Sequence, residues 1–509
     1  MLKLAEKVRA FLGAPSAQKP DAFLDNVALF RERVAQWPTP PSAASGPRVG
    51  VLVTPWLSTA VPFFSLECAA LLRREGRTPV LLFDDADLVQ NSTRPRHGIA
   101  LREMLQADYA DWEQQDAAHS APQSEPTDAA LAEPIFRENA IWRARGEEQA
   151  SGFMATNDTA AAKIAEHLGR VRRLLTDAAL DGLLIPGGMF GLSPLYVAIA
   201  RELGLKFATY DGAAGFLRLA QMGVAAHLAD LPQAFAELRR TLPPDARAAV
   251  HQRAATELDD RLHARDPRHF QVAAVSGRND LRYDLLVPLN IRWDSAALGR
   301  QRAFATVAEW LESLLAWVAE RPAVSICIRQ HPRERLTFAR GSDDLAPLLA
   351  KFSALGPRLR FVAAAESVST YDLLPHCRAV LPHTSTVGIE AAMLGQPVIL
   401  ATHVYYEDFG FCQKPADRDA YFAQLSEALE GKLEVTTAQR DDAALAYYLT
   451  QCCALLSTPF TAHPDDFRQW VKLAPDELWA RPELADFRTA LLGGEPLSLV
   501  RHRRLSHAA

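Results

Sequence analysis

The stretch from Arg378 to Leu400 constrains the fold of this chain more than any other. Its sequence, Arg378-Ala-Val-Leu-Pro-His-Thr-Ser-Thr-Val-Gly-Ile-Glu-Ala-Ala-Met-Leu-Gly-Gln-Pro-Val-Ile-Leu400, predicts a short buried strand, a polar loop and then a helix. The helix should end at Gly395, which can adopt the left-handed conformation common after a helix, and a second strand should follow. Strands and helices that alternate in this way are typical of parallel α/β sheets.

The polar loop of this segment consists of His383, Thr384, Ser385 and Thr386. The first backbone N–H groups of a helix are unpaired, the positive end of the helix dipole lies there, and hydroxyl groups add donors. The loop therefore predicts a phosphate site, with Thr384, Ser385 and Thr386 as binding residues. An ordinary helix cap is the alternative, because Ser and Thr are the usual capping residues.

Composition excludes several classes of protein. A length of 509 residues predicts two domains, and a net charge of −6 without a long basic run gives no footprint for nucleic acid. The six cysteines form no CxxC pair and show no metal-ligand spacing, which favours a reducing, cytoplasmic setting. The sequence contains no run of about 18 apolar residues, the length that spans a membrane, and its first residues lack the apolar core of a signal peptide.

Residues 1–45 are predicted to form an N-terminal helical arm and a linker. Residues 1–12 read as a small basic amphipathic helix, which could lie on an anionic membrane surface or dock on its own domain. A second helix is expected over residues 21–36, and the Pro/Ser/Ala-rich stretch from residue 38 to 47 is expected to be a linker.

Short apolar strands alternate with helices in two further regions, residues 46–270 and 271–435. This alternation predicts two domains, each with a doubly wound parallel sheet. Residues from about 90 to 165 lack a strand signal and are predicted to be a helical insertion in the first domain. In the second domain a long amphipathic helix is expected over residues 295–319, and residues 436–509 are expected to be a helical C-terminal tail.

Two polar residues follow predicted strands, where ligands of open parallel sheets gather. Asp211 precedes Gly212 at a strand end, so its carboxylate could serve as a general base or could simply form a turn. His331 follows another strand and could bind a diphosphate or act as a general acid, unless it is a structural hydrogen-bonding group. Arg329, at the end of the same strand, is predicted to bind phosphate with His331.

Glu390 lies four residues after Thr386 and therefore on the same helix face, where it is predicted to reach a ribose hydroxyl. A solvated surface group is the alternative. Asp85-Ala-Asp87 looks like a DxD metal-binding pattern, but Asp-rich turns after strands are common, and no metal site is predicted. Gly187-Gly-x-x-Gly191 does not match the dinucleotide fingerprint, so no NAD and no other bound cofactor is expected.

Together these motifs resemble the C-terminal domain of bacterial capsular polysaccharide biosynthesis proteins. The resemblance rests on the segment from Ser385 to Ile399, with Tyr405-Tyr406 and Gly410-Phe411 behind it. That group includes Kdo transferases and is related to bacterial polysialyltransferases. The resemblance implies an α/β, GT-B-like fold: two Rossmann-like, doubly wound domains, here with a helical insertion and a helical C-terminal tail.

The resemblance also implies roles for individual residues. His331-Pro332 is similar to the His-Pro motif of these enzymes, and Ser385-Thr386 is similar to their paired Ser/Thr motif, which places the nucleotide on the second domain. Asp211-Gly212 corresponds to the acidic-residue-Gly motif that supplies the catalytic base. Two departures are present: Gln330-His-Pro-Arg-Glu lacks the acidic residue that often follows His-Pro, and Tyr210-Asp211-Gly212 offers one carboxylate instead of two.

The function implied is an inverting, metal-independent glycosyltransferase of capsular or other surface polysaccharide biosynthesis. It would transfer a sugar from a nucleotide-activated donor, of the CMP-Kdo or CMP-sialic-acid type, to a glycan or glycolipid acceptor. The implied location is cytoplasmic, with peripheral contact to the inner membrane or to other capsule-synthesis proteins. Two alternatives share the fold: a nucleotide-sugar 2-epimerase, and a non-catalytic scaffold of polysaccharide export.

Overall fold

A computed structural model describes residues 21–37, 46–56, 59–88, 95–265 and 281–507. The amphipathic helix expected over residues 1–12 and most of the expected linker lie outside these residues. The strands are Arg48–Val53 (β1), Thr78–Phe83 (β2), Glu113–Asp116 (β3), Gly182–Pro186 (β4), Phe207–Ala213 (β5), Phe216–Gln221 (β6), Leu285–Pro288 (β7), Ile326–Arg329 (β8), Leu359–Val362 (β9), Ala379–Val380 (β10) and Leu456–Ser457 (β11). The α-helices are Ala22–Val34 (α1), Val61–Arg74 (α2), Pro95–Asp108 (α3), Asp128–Ala144 (α4), Glu147–Ala155 (α5), Ala160–Asp177 (α6), Ser193–Glu202 (α7), Leu231–Thr241 (α8), Pro244–Leu262 (α9), Val307–Ala319 (α10), Ala346–Lys351 (α11), Thr370–Leu373 (α12), Val387–Met393 (α13), Arg418–Leu429 (α14), Thr437–Tyr448 (α15), Pro464–Trp470 (α16), Pro475–Trp479 (α17), Pro482–Gly493 (α18) and Leu497–His507 (α19).

The first sheet has the strand order β11-β6-β5-β4-β1-β2-β3 within the described residues. Strands β1 to β5 pair in parallel, whereas β6 pairs antiparallel with β5 and with β11. The predicted parallel sheet is therefore confirmed, but the region from 90 to 165 is not purely helical. It contributes β3, whose Glu-Gln-Gln-Asp sequence has no apolar signal because this edge strand is exposed or half-buried.

The second sheet has the order β10-β7-β8-β9, and all of its pairs are parallel. Its strands are short apolar runs because helices cover both faces of such a sheet. The helix expected over residues 295–319 begins only at Val307, where the Thr306 side chain caps it by accepting from the Glu309 N–H. The preceding residues form turns that line the space between the domains.

Helices α8 and α9 belong to the second domain and not to the first. Their apolar residues share one core with the second sheet, and the rings of Phe235 and Phe409 stack at 3.9 Å. The boundary predicted near residue 270 therefore does not match the structure, since the N-terminal part of the chain that builds the first sheet ends before Leu231. The prediction missed this boundary because a helical stretch carries no signal that tells which of two sheets it will cover.

The C-terminal region is not a separate helical tail. After α15 a π-helical turn at Leu449–Cys453 leads into β11, which pairs with β6 of the first sheet. The helices after β11 share the first domain's core, where the ring of Phe460 stacks on Phe64 at 4.5 Å and that of Phe467 lies 5.2 Å from Phe63. The first domain is thus built from two separate parts of the chain.

The two domains face each other across a cleft, as in GT-B proteins, and the predicted fold class is confirmed in this arrangement. The cleft is lined by the β5–β6 hairpin of the first domain and by the residues that follow β7, β8 and β10 of the second. Ligands of open α/β sheets bind beyond such strand ends. Across the described part of the chain, no helix is both long enough and apolar enough to cross a membrane.

Candidate functional site

A cavity of about 540 Å³ lies in the cleft between the two domains. Five of the seven predicted site residues line it: Asp211, Arg329, His331, Ser385 and Thr386. Thr384 lines an adjoining cavity of about 150 Å³ that also contacts His331, Ser385 and Thr386. Glu390 lines neither cavity. Residues from three distant parts of the sequence, at 211, at 329–331 and at 384–386, are thus brought together by the strand ends of two sheets.

Asp211 is the first domain's contribution. It lies within β5, which continues to Ala213, and so does not end the strand as predicted. Its Oδ1 accepts from the Gly212 N–H at 2.9 Å, and a side chain at Gly212 would collide with the Phe216 carbonyl oxygen. Burial raises the pKa of Asp211, and the nearby Asp294 adds to this, whereas the Arg218 charge and the Gly212 hydrogen bond lower it. A cleft carboxylate with a raised pKa is suited to accept a proton.

His331 is held in one orientation by the backbone of its own turn. It caps the short 3-10 turn Pro332–Arg335, with its Nδ1 accepting from the Arg333 N–H at 3.2 Å. In the neutral ring the proton is therefore on Nε2, which leaves an N–H donor for a ligand. Burial lowers the pKa of His331 to about 4, and the charges of Arg333 and Arg329 contribute, opposed by Asp294. At neutral pH the free protein thus has an uncharged imidazole.

The Ser-Thr loop is fixed from several sides. Thr384 has φ of 50°, a left-handed conformation that is strained for a β-branched residue, and its Oγ1 accepts from Asn290 Nδ2 at 3.1 Å. Ser385 Oγ accepts from the Val387 N–H at 3.3 Å, and its carbonyl oxygen accepts from Tyr406 Oη at 2.7 Å. Thr386 precedes α13 but its side chain makes no capping bond. These bonds hold the loop where Ser385 and Thr386 line the cavity.

Arg329 has a structural bond as well as a place in the cavity. It is only 2% exposed, and its Nη1 donates to the Ala363 carbonyl oxygen at 2.6 Å, which ties β8 to the end of β9. Burial lowers the pKa of this guanidinium, and its Nε is buried without a hydrogen-bond partner. An anionic ligand in the cavity would offset the cost of this desolvated charge.

Glu390 does not reach a ribose, and this prediction is corrected by the structure. Glu390 is 0% exposed; it pairs with Arg261 Nη1, and its Oε2 accepts from Tyr371 Oη at 3.0 Å. Arg261 also donates through Nη2 to Gln451 Oε1 at 2.9 Å. Arg261, Tyr371 and Gln451 line the cavity, so Glu390 acts by positioning them. The spacing from Thr386 was correct, but that face of α13 lies against α9 and α12 instead of against the ligand.

Arg218 is a charged residue of the cavity that sequence reasoning missed, because strand β6 was not predicted. It lines both cleft cavities, and its Nε is buried without a hydrogen-bond partner among the described residues. A signal was present: in Phe216-Leu-Arg-Leu-Ala-Gln221, half-buried and buried residues alternate at first, as in an antiparallel strand. An arginine within such a strand, just after Asp-Gly, marks a hairpin that carries two charges.

The cavity has an excess of positive charge. It is lined by four arginines and two aspartates, namely Arg218, Arg261, Arg329, Arg333, Asp211 and Asp294. Even with Arg261 neutralised by Glu390, the balance favours an anionic ligand. The Asp85-Ala-Asp87 run lies outside the cavity, and Asp85 contacts Arg102 at 3.3 Å. No cluster of three or more potential metal-ligating residues occurs among the residues described.

Residues 235–452, which include the second sheet, match a known family model, described as capsule polysaccharide biosynthesis protein. Over these residues the chain is similar to capsule polysaccharide biosynthesis proteins. The resemblance seen in the sequence motifs is thereby confirmed, and the match includes His331, Ser385 and Thr386 while Asp211 lies before it. No curated protein sequence matches the chain.

Solved structures with similar folds belong to several enzymes. A β-Kdo 2,7 transferase, KpsC of Thermosulfurimonas dismutans, is 18% identical over 54% of this chain and 79% of its own, with a TM-score of 0.32. The UDP-GlcNAc 2-epimerase of Neisseria meningitidis is 12% identical over 79% and 95%, with a TM-score of 0.24. MurG of Acinetobacter baumannii is 11% identical over 84% and 99%, with a TM-score of 0.27. At these values the similarities do not determine what this protein acts on.

Proposed function

We propose that this protein is an inverting, metal-independent glycosyltransferase of capsular or other surface polysaccharide biosynthesis. Its donor is a nucleotide-activated sugar, with a CMP-linked acidic sugar favoured, and its acceptor is a glycan or glycolipid. One observation carries the proposal: Asp211 of the first domain and His331, Ser385 and Thr386 of the second line a single cavity with an excess of arginines.

The second domain holds the donor phosphate. The hydroxyls of Ser385 and Thr386 and the Nε2–H of His331 are the donors that meet it, and the Arg329 and Arg333 charges lie beside them. Negative charge grows on the phosphate oxygen as the bond to the sugar breaks. Fixed donors aimed at that oxygen stabilise the transition state more than the ground state, and they supply this stabilisation without a metal ion.

The first domain supplies the base. An acceptor hydroxyl attacks the anomeric carbon and gives its proton to Asp211, while the bond between that carbon and the phosphate oxygen breaks and its electron pair stays on the phosphate. Asp211 and the phosphate-binding residues belong to opposite walls of the cleft. The attacking oxygen therefore enters on the side of the sugar opposite to the leaving group, and a single displacement of this geometry inverts the anomeric configuration.

Two measurements test the proposal. Titration with cytidine, uridine and guanosine mono- and diphosphates should identify a nucleotide that binds and raises the unfolding midpoint, because a ligand that binds only the folded state stabilises it. The matching nucleotide sugar, incubated with acceptor glycans, should then give an inverted glycoside by NMR, with turnover unchanged by EDTA.

Other outcomes would decide for the alternatives. A change in the sugar in the absence of an acceptor would identify an epimerase. Failure to bind any of the nucleotides would favour a non-catalytic scaffold of polysaccharide export. Loss of turnover in EDTA that magnesium or manganese restores would contradict metal independence. Asp85 and Asp87 would then become candidate metal ligands.

A further inference from the structure

Another cavity, of about 220 Å³ and called the second cavity below, opens beside the cavity of about 540 Å³. The two share Asp211, Gly212 and Ser295. Nearly all of its lining comes from the first domain, at the carboxyl ends of β1, β4 and β5 and from the returning C-terminal segment near His463. Asp211 is thus the one carboxylate that faces both cavities. Whatever occupies the second cavity is brought to this residue from the side away from the phosphate-binding loop.

One wall of the second cavity is aromatic. Trp56 and Phe190 line it, and Trp142 lies behind them, with its ring 5.2 Å from that of Trp56 and 5.0 Å from that of Phe190. Gly191 has φ of 62°, and a Cβ there would be 2.4 Å from the Trp56 ring. The glycine therefore lets the indole pack directly against the backbone, which fixes its plane. A fixed indole plane offers a flat surface to the C–H face of a sugar ring.

The rest of the lining is largely apolar, and its ionisable side chains are Asp211, Tyr210 and His463. Among the described residues that line the second cavity there is no lysine and no arginine, and Asp211 is the only carboxylate. Five hydroxyl-bearing residues also line it: Thr54, Thr59, Ser193, Tyr210 and Ser295. This is the combination of apolar wall and few polar groups that binds small neutral molecules. It contrasts with the donor cavity, which four arginines line.

From these two features we infer that the second cavity is the acceptor subsite and that it takes an uncharged pyranose ring packed against Trp56. This inference rests on the proposed function, in which Asp211 is the base. The ring presents one hydroxyl to Asp211, and the remaining hydroxyls bond to the threonine and serine side chains. An acidic sugar in this position would bring a second carboxylate close to Asp211, in a cavity that no lysine or arginine lines among the described residues, so acidic acceptors are disfavoured.

The test uses matched pairs of methyl glycosides that differ only in a carboxylate: methyl glucoside with methyl glucuronide, and methyl galactoside with methyl galacturonide, together with methyl N-acetylglucosaminide. Saturation-transfer NMR on the full chain reports which ring protons contact the protein. A neutral glycoside should give transfer, Trp56→Leu should weaken its affinity at least about fivefold, and its acidic counterpart should bind more weakly. Trp112→Leu is the matched control, since Trp112 is also half-buried in the first domain but lines neither cavity.

Asp211→Asn tests whether the charge of Asp211 causes the weaker binding of acidic glycosides, because asparagine has nearly the same shape but no charge. It removes the only carboxylate of the second cavity, so the gap in affinity between glucoside and glucuronide should narrow. The inference is overturned if only acidic glycosides bind in a Trp56-dependent way, or if no neutral glycoside of the panel shows such dependence. Nucleotide binding by the same preparations is measured separately. Wild-type protein that binds no nucleotide would count against the proposed function, whereas intact nucleotide binding without neutral-sugar binding would count against this subsite alone.

Discussion

Asp211 and Arg218 lie directly opposite each other on the antiparallel strands β5 and β6, at the mouth of the interdomain cavity. Two effects act in opposite directions on the pKa of Asp211. Burial raises the pKa of Asp211 and the Arg218 charge lowers it, and the pKa ends above its ordinary value because burial outweighs the arginine. The hairpin thus carries the candidate base and, opposite it, a cation that lines the same cavity.

Asp211→Asn should lose turnover by about 10²–10⁴, the usual effect of removing a general base, because asparagine keeps the shape but cannot take the proton. Donor affinity should stay nearly unchanged, since the second domain carries it. In the wild type, kcat/KM should fall as pH is lowered through the pKa of Asp211, with a midpoint above the ordinary value of about 3.9. Calorimetry of donor binding and a pH profile of kcat/KM check this, and a variant that retains most of its turnover refutes the assignment.

Arg218→Gln should shift that pH profile. Because the Arg218 charge lowers the pKa of Asp211, its removal should raise this pKa, and the acid limb of kcat/KM should move to higher pH. Donor affinity should also fall about tenfold, since a hydrogen bond to a charged group contributes about 1.5–3 kcal/mol. Arg218→Lys should restore most of the pH profile because it retains the charge. An unchanged profile in a folded glutamine variant would show that Arg218 does not act on Asp211.

Ser385→Ala combined with Thr386→Ala should weaken nucleotide binding at least about tenfold, because two donors to a charged phosphate are removed. Thr437→Ala is a suitable control, since Thr437 is an exposed hydroxyl residue in the same domain, at the start of α15 and outside the cleft. The nucleotide identified by thermal titration serves as the ligand, and calorimetry gives the affinity. Equal affinities for the double variant and the control would reduce the loop to an ordinary helix cap.

His331 should make donor binding pH-dependent. Its pKa is about 4 in the free protein, and a bound phosphate should raise this pKa by stabilising the imidazolium. Binding then takes up a proton, so affinity should increase as pH falls through the raised, ligand-bound pKa and should level off below about 4. A phosphodiester donor such as a CMP-sugar is the right probe, because its phosphate does not itself titrate in this range. His331→Gln should remove this proton uptake, which calorimetry in buffers of different ionisation enthalpy detects. Binding without uptake at any pH down to about 4 would show that the bound phosphate does not raise the pKa of His331.

Glu390→Ala should destabilise the second domain by about 3–5 kcal/mol, because it leaves the buried Arg261 charge without its partner. Glu390→Gln retains hydrogen bonds to Arg261 and Tyr371 and should cost less. The combined change of Arg261 and Glu390 to methionine should recover much of the loss, since it removes the buried charge altogether. Urea unfolding, with nucleotide affinity measured in parallel, checks the series. A Glu390→Ala protein of wild-type stability would show that the pair is not a buried ion pair in solution.

The sequence allowed prediction of features that depend on local pattern. The short apolar runs identified the parallel strands, and the residues after them, such as His331 and Ser385, were placed correctly at the cleft. Features that depend on distant partners were not predictable in the same way. Glu390 looks like a surface or ligand residue until Arg261, 129 positions earlier, is placed beside it. The sequences of helices α8 and α9 do not indicate which sheet these helices cover. Strand β3 is too polar to be recognised from its sequence alone.

The return of the chain to the first domain at β11 affects how the two halves can move and how they can be separated. The domains are joined by two connections, one after β6 and one at the π-helical turn Leu449–Cys453, and that turn is tied to α9 through the bond from Arg261 to Gln451. Two covalent links define an axis, so opening of the cleft is confined largely to rotation about it, with little twisting or sliding. For the same reason, no single cut yields two intact domains. A fragment that stops at Cys453 lacks the edge strand of the first sheet and lacks Phe460 and Phe467, which leaves Phe63 and Phe64 uncovered, so isolated first-domain protein would require residues 456–507 to be rejoined to it.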